Sequence, residues 1–214
     1  MIMPILYSFK RCPYAMRARM AILLGNISCE IREIRLKNKP EHMLEISPKG
    51  TVPVLILKDR VIDESMDIIN WVVAQKGIFT TSNEEQNKLT EHFITKFDDN
   101  FKYHLDRYKY STRYHDADLV HHRDECLKIL IDLENSISNR KWIFGNEINK
   151  LDISILPFIR QYKIANPIWF DAQQKIIKIK KLLDSFVESK LFQKAMHKYD
   201  VWELDTKPVF FPAE

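Results

Sequence analysis

The sequence predicts a small mixed α/β domain followed by an all-helical one. Three observations carry that prediction. Up to about residue 76 the apolar segments are short and change type from one to the next. Beyond the polar stretch Thr80-Thr81-Ser82-Asn83-Glu84-Glu85, apolar residues recur at helical spacing only. A length of 214 residues, with 45% hydrophobic and 29% charged side chains, leaves room for two units with their own cores. The expected boundaries are 1–77 for the first domain, 78–87 for a linker and 88–214 for the helical domain.

In chain order, Met3 to Ser8 reads as a buried strand, and Pro13 to Leu24 as a helix stopped by Gly25. Ser28 to Leu36 reads as a second strand, with Cys29 and Ile31 alternating before the pattern shifts at Ile34 and Leu36. A short helical turn around Glu41 to Ile46 ends at Ser47-Pro48-Lys49-Gly50. Val54 to Leu57 and Val61-Ile62 flank Lys58-Asp59-Arg60, which is hairpin spacing. Ser65 is the expected cap of a helix carrying Ile68, Ile69, Val72 and Val73 on one stripe. The order β-α-β-α-β-β-α implies a small mixed sheet covered by helices.

In the second half, Phe93, Phe97, Phe101, His104, Leu105 and Tyr108 fall at three- and four-residue steps along one segment. Leu127, Leu130, Ile131 and Leu133 continue the pattern in the next. A third helix has a complete start signal. Asn149 caps, Asp152 at N3 reaches back, and Ile148 with Ile153 supplies the hydrophobic staple.

Several function classes are excluded at this level. A net charge of +4 is small for the length, and the basic run Lys175, Lys178, Lys180, Lys181 shares its segment with Ile176, Ile177, Ile179, Leu182 and Leu183. That run is a solvated helix face, so no nucleic-acid partner is expected. No apolar run approaches the ~20 residues that a membrane span needs. The N-terminal stretch runs straight into a strand with no basic leader, and three cysteines are too few and too odd for a disulfide framework. Both point to a reducing, cytoplasmic setting. Four glycines leave no nucleotide fingerprint. His122 and Cys126 stand at i and i+4 with His115, Asp118 and His121 close by, but nothing forces a third ligand into place, so no metal site is expected.

The chemistry concentrates at Arg11-Cys12-Pro13-Tyr14-Ala15. With a helix starting at Pro13, Cys12 is its N-cap, and proline suits N1 because that position has no N–H partner to lose. A sulfur there faces the positive end of the helix dipole, which favours thiolate over thiol. Arg11 and Arg17 stand nearby as electrostatic aids or as solvated surface charges. Trp169-Phe170, after Asn166-Pro167, is a pocket wall or a loop plug.

These motifs resemble the cytosolic glutathione transferases, whose architecture is an α/β thioredoxin-like N-terminal domain plus an all-α C-terminal domain. Cys-Pro-Tyr-Ala resembles the cysteine classes of that superfamily, omega-type transferases above all, and differs by one residue from the Cys-Pro-Tyr-Cys of glutaredoxins. The run Gly145 to Ile153 resembles the family's capping box, with Asn149 where Ser or Thr is usual. The resemblance implies glutathione as cosubstrate, with no permanently bound cofactor.

It also implies a glutathione site. Thr51-Val52-Pro53 is similar to the family's cis-proline turn, whose backbone meets the cysteinyl part. Glu64-Ser65 is similar to the pair that holds the γ-glutamyl end, and Lys39 to a lysine that contacts the glycyl carboxylate, with Leu36 beside the groove. Tyr14, Tyr103, Tyr108 and Trp169 are candidate walls for a small electrophilic or disulfide second substrate, expected in a cleft between domains. A homodimer is the family expectation.

With Ala15 in place of a resolving thiol, the implied chemistry is a mixed disulfide between Cys12 and glutathione. The expected activity is thiol transfer, with glutathione mixed disulfides and dehydroascorbate as substrates. Alternatives are a conventional transferase that conjugates electrophiles, or a non-catalytic interaction protein of the same fold.

Overall fold

A computed structural model describes residues 3–80, 82–115 and 117–213. Met1, Ile2, Thr81, Asp116 and Glu214 lie outside it, and with them one position of the expected linker and the first residues of the N-terminal stretch. The chain forms two compact units, Met1–Thr80 with Ser189–Glu214, and Thr81–Glu188.

In the first unit, β1 (Ile5–Ser8), α1 (Pro13–Leu24), β2 (Cys29–Glu33), α2 (Glu41–Ile46), β3 (Val54–Ile56), β4 (Val61–Ile62) and α3 (Ser65–Lys76) follow the predicted order. The sheet runs β4-β3-β1-β2-β5, where β5 is Phe210–Phe211. β1 is parallel to β2 and antiparallel to β3, so the ends of β1 and β3 bring Tyr7 opposite Val54. Helix α1 takes its boundaries from the residues that mark them. Pro13 opens it, and Gly25 closes it where a Cβ would meet Val72 Cγ1 at 2.5 Å.

Four expectations differ from the structure. β2 stops at Glu33, because the chain turns into a bridge between Arg35 and Asn38 before Leu36 can continue the strand. Ser65 occupies N1 of α3, and Glu64 is its N-cap. Arg17, expected beside the thiol or in solvent, is fully buried, and so is Arg19. Arg19 donates to Ser8 Oγ (2.8 Å), to the Ala195 carbonyl (3.1 Å) and to the carboxylate of Glu33.

The fourth difference concerns the end of the chain. Residues 88–214 were expected to form one helical domain, yet from Ser189 onward the chain belongs to the first unit. There α10 (Lys190–Ala195) leads to β5, which pairs antiparallel with β2. Ile31 N donates to Val209 O and Trp202 N donates to Glu33 O, so the outer edge of β2 is covered along its length. An open strand edge is a row of unpaired polar groups, and this segment satisfies them. A two-residue strand has no periodicity for a sequence to reveal.

In the second unit, α4 (Glu84–Lys96) runs through a π-helical turn at Phe97–Phe101 into α5 (Lys102–Lys109). Then follow α6 (Leu119–Ser136), α7 (Lys150–Ala165), α8 (Pro167–Ala172) and α9 (Ile177–Glu188). Phe93, Phe97, Phe101 and Leu105 are buried as their spacing predicted, and Phe97 stacks on Phe101 at 4.4 Å. The capping box of α7 forms as read. Asn149 accepts from Leu151 N and Asp152 N, while Asp152 accepts from Asn149 N at 2.9 Å and Ile143 N at 3.1 Å. Glu134 of α6 accepts from Lys178 N and Ile179 N, which fixes the start of α9. Among the described residues, no helix is long and apolar enough to cross a membrane.

Candidate active site

Cys12 lies at the junction of β1 and α1, as the motif requires. Its backbone is extended (φ −78°, ψ 124°), its N–H donates to Phe9 O, and its carbonyl accepts from Met16 N at 3.0 Å. It is the N-cap of α1, makes no side-chain capping hydrogen bond, and has no acidic residue beside it in the first turn. The dipole of a twelve-residue helix therefore ends at the sulfur, with no carboxylate in the first turn. The thiol is half-exposed and rests on the cluster of Tyr7, Ala15, Ile34, Met43, Val52 and Val54.

The other two cysteines are unlike it. Cys29 and Cys126 are fully buried, and burial pushes the Cys29 thiol up to about 12 and that of Cys126 higher still. Neither presents a thiolate. Tyr7, an alternative hydroxyl on the same strand, accepts from Arg32 at 2.7 Å and pairs with His42 Nδ1 at 2.9 Å. Burial raises its pKa, so it offers no phenolate.

The turn at 47–53 organises the remaining residues. The Val52–Pro53 bond is cis, and Cys12 Sγ lies 3.6 Å from the Val52 carbonyl. Gly50 holds φ +60°, a left-handed conformation that glycine adopts at least cost, and Lys39 Nζ reaches to within 3.3 Å of where its Cβ would be. Lys39 is thus laid beside the loop that leads to Val52. It also lines a cavity of about 690 Å³ with Arg35, Asn38, His42, Glu45 and Trp202. Cys12 is not among that cavity's walls.

On the other side of the turn, Ser47 Oγ donates to Asp63, and Lys49 Nζ bridges Asp63 (3.1 Å) and Glu64 (2.7 Å). Ser65, at the first position of α3, is 3% exposed, and its hydroxyl receives Arg17 Nη1 at 3.4 Å. Arg17, expected near the thiol or in solvent, acts instead from inside α1 on the start of α3.

The structure therefore gathers Cys12, Val52, Pro53, Lys39, Glu64 and Ser65 around one turn. Leu36 is 46% exposed in the Arg35–Asn38 turn and has no place among these contacts within the described residues. Sequence reasoning missed Lys49, whose partners lie 14 and 15 residues away, where no local spacing rule applies.

The expected second-substrate walls divide. Tyr108 and Trp169 both pack on the ring of Tyr162, at 5.6 and 5.9 Å, and Arg123 stacks on Trp169 at 4.4 Å. Tyr103 is not of this group. It is half-exposed under Arg107 and edge-on to His104. Tyr14, in the first unit, is half-buried against Arg17.

Comparison with known proteins agrees with this geometry. Residues 6–80 match the family described as "Glutathione S-transferase, N-terminal domain". The chain is 25% identical over 157 residues to "Probable glutathione S-transferase MSR-1" of Nicotiana plumbaginifolia, covering 72% of this chain and 71% of that protein. It is 28% identical over 163 residues to "Glutathione S-transferase omega-1" of Rattus norvegicus, covering 72% and 65%. A crystal structure of a glutathione transferase family member from Pseudomonas fluorescens, with two glutathione bound, superposes with a TM-score of 0.75. That match has 17% identity and covers 91% of this chain and 92% of that one. A half-exposed cysteine at a helix start and a cis-proline turn beside it thus fall within residues 6–80, which form a glutathione S-transferase N-terminal domain.

Proposed function

We propose that the protein is a glutathione-dependent thiol transferase whose nucleophile is Cys12. The observation that carries this reading is a half-exposed sulfur at the uncapped start of α1, with buried Ala15 three residues on and the remaining cysteines inside the fold. The helix dipole stabilises the thiolate. That thiolate attacks the glutathione sulfur of a mixed disulfide. The Cys12–glutathione bond forms, the substrate thiolate leaves and takes a proton from water. A second glutathione thiolate then attacks the same glutathione sulfur, releasing oxidised glutathione and the Cys12 thiolate. Overall the mixed disulfide and one incoming glutathione thiol become the substrate thiol and oxidised glutathione, so the substrate sulfur is reduced at the expense of the incoming glutathione sulfur. Ala15 is what prevents an internal disulfide from closing across the turn.

In this reading the glutathione peptide lies along Val52, whose backbone pairs with its cysteinyl part as an added strand. Lys39 receives the glycyl carboxylate. The start of α3 at Ser65 receives the γ-glutamyl carboxylate, and Glu64 shares itself between Lys49 and the γ-glutamyl ammonium.

The test is intact-mass spectrometry after incubation with oxidised glutathione. One adduct mapped to Cys12 and absent in Cys12→Ser is the expected result. Adducts on Cys29 or Cys126, or aryl-halide conjugation that survives Cys12→Ala, would overturn the reading in favour of a conventional transferase.

A further inference from the structure

Helices α5 and α6 bring together three histidines that no part of the glutathione chemistry uses. His104 comes from α5, and His121 and His122 from the first turn of α6. One ring nitrogen from each lies within 4.8 Å of the other two. The ring centroids are 5.0 to 5.8 Å apart, and His104 Nδ1 is 2.8 Å from His122 Nδ1. We propose that His104, His121 and His122 form a binding site for a divalent transition-metal ion of the zinc type.

Zinc–imidazole bonds are about 2.0–2.1 Å long, so tetrahedral ligand nitrogens stand roughly 3.3 Å apart. His104 Nδ1 and His122 Nδ1 stand a little inside that spacing, and one ring nitrogen of each histidine lies within 4.8 Å of the other two. His121 is exposed, His104 is half-buried and His122 is buried, so two ligands come from inside the helix pair and one from its surface. Three histidines leave the fourth tetrahedral position to water or to an incoming ligand.

Asp118 accepts from Val120 N and His121 N and so fixes the backbone that carries two of the ligands. The charges facing the site are Glu125 and Asp118, which favour a cation, and Arg107, which opposes one. Arg107 is turned onto the rings of Tyr103 and Tyr114, and Glu125 pairs with Lys128 at 2.5 Å.

The sequence offered only His122 and Cys126 at i and i+4, and no metal site was expected from them. The structure removes Cys126, which is fully buried with its thiol directed to the Phe101 carbonyl at 3.7 Å. It supplies His104 instead, eighteen residues before His122 and on another helix.

The experiment is calorimetric titration of the full chain with zinc sulfate. One zinc per chain with micromolar affinity is expected, unchanged in Cys12→Ser. His104→Ala and His121→Ala should each weaken it by roughly a hundredfold, as loss of one of three ligands implies. His121 is exposed, so His121→Ala should keep the metal-free melting temperature and separate ligation from folding. Cupric ion added to the Cys12→Ser chain should give an electron-paramagnetic spectrum with nitrogen hyperfine splitting, lost in His104→Ala. Uptake lost in Cys12→Ser, uptake indifferent to His121→Ala, or no stoichiometric uptake would overturn the site.

Discussion

Helices α1 and α7 begin on the same backbone plan and carry opposite burdens. Each starts from an extended residue, Cys12 in one and Asn149 in the other. At α7 the first amides are taken by Asn149, and Asp152 holds both the Asn149 and Ile143 N–H groups in a fully buried site. That helix start is finished as a piece of architecture. At α1 the cap is a sulfur with no capping hydrogen bond, and no carboxylate stands in the first turn. Its positive end is left directed at a half-exposed atom that can react. The difference teaches that a helix start is structural or chemical according to what occupies its cap.

That contrast can be broken most sharply at the sulfur. Cys12→Ser should lower mixed-disulfide reduction by roughly a thousandfold, because a hydroxyl is far less ionised and less nucleophilic than a thiolate. The urea midpoint should hardly move, since the side chain caps nothing; loss of stability of the order seen for a true N-cap would contradict the comparison. Next in size is selective alkylation. With iodoacetamide at neutral pH, Cys12 should react roughly a hundredfold faster than Cys29 or Cys126, which are buried with raised pKa values. Peptide mapping over a time course measures this, and comparable rates would show that α1 does nothing for its cap.

At α7 the same logic runs in reverse. Asp152→Ala leaves two buried amides without their acceptor and should cost about 2 kcal/mol, roughly thirtyfold in the folding constant, by urea unfolding. Its glutathione chemistry should be untouched.

The same carboxyl also gives a pH slope. Burial raises Asp152 to about 7, while an unfolded aspartate titrates near ~3.9. Between those values the folded chain keeps a proton that the unfolded chain releases, so this group's contribution to stability falls as pH rises and levels off above about 7. The slope cannot exceed about 1.4 kcal/mol per pH unit for one group. Urea unfolding of the parent and Asp152→Asn at pH 5 and pH 8 should show a shallower fall in the variant.

What the sequence made legible was local. Pro13 and Gly25 bracket α1, Asn149 and Asp152 cap α7, and Cys12 is the N-cap of α1, each readable within a few residues. Thr51-Val52-Pro53 was legible as a turn, but the isomer is set by the surrounding fold. What stayed hidden depends on contacts between distant segments. Arg17 looks like a solvated charge until Ser65, 48 residues on, is folded against it. His104 falls in an aromatic helical stripe and reads as packing, and only α6 turns it into a possible ligand. Ser65 looks like a cap because serine favours that position, yet Glu64 takes it and leaves the hydroxyl to Arg17.

The segment that covers β2 has a consequence for biosynthesis. Arg19 finds an acceptor on Ala195, 176 residues away, and β2 receives its last partner from Phe210 and Phe211. While the ribosome is still translating the helices, the nascent chain holds a bare hydrogen-bonding border and an unfinished arginine socket. A premature stop anywhere before Ala195 would freeze that intermediate, with a border ready to recruit a strand from another molecule.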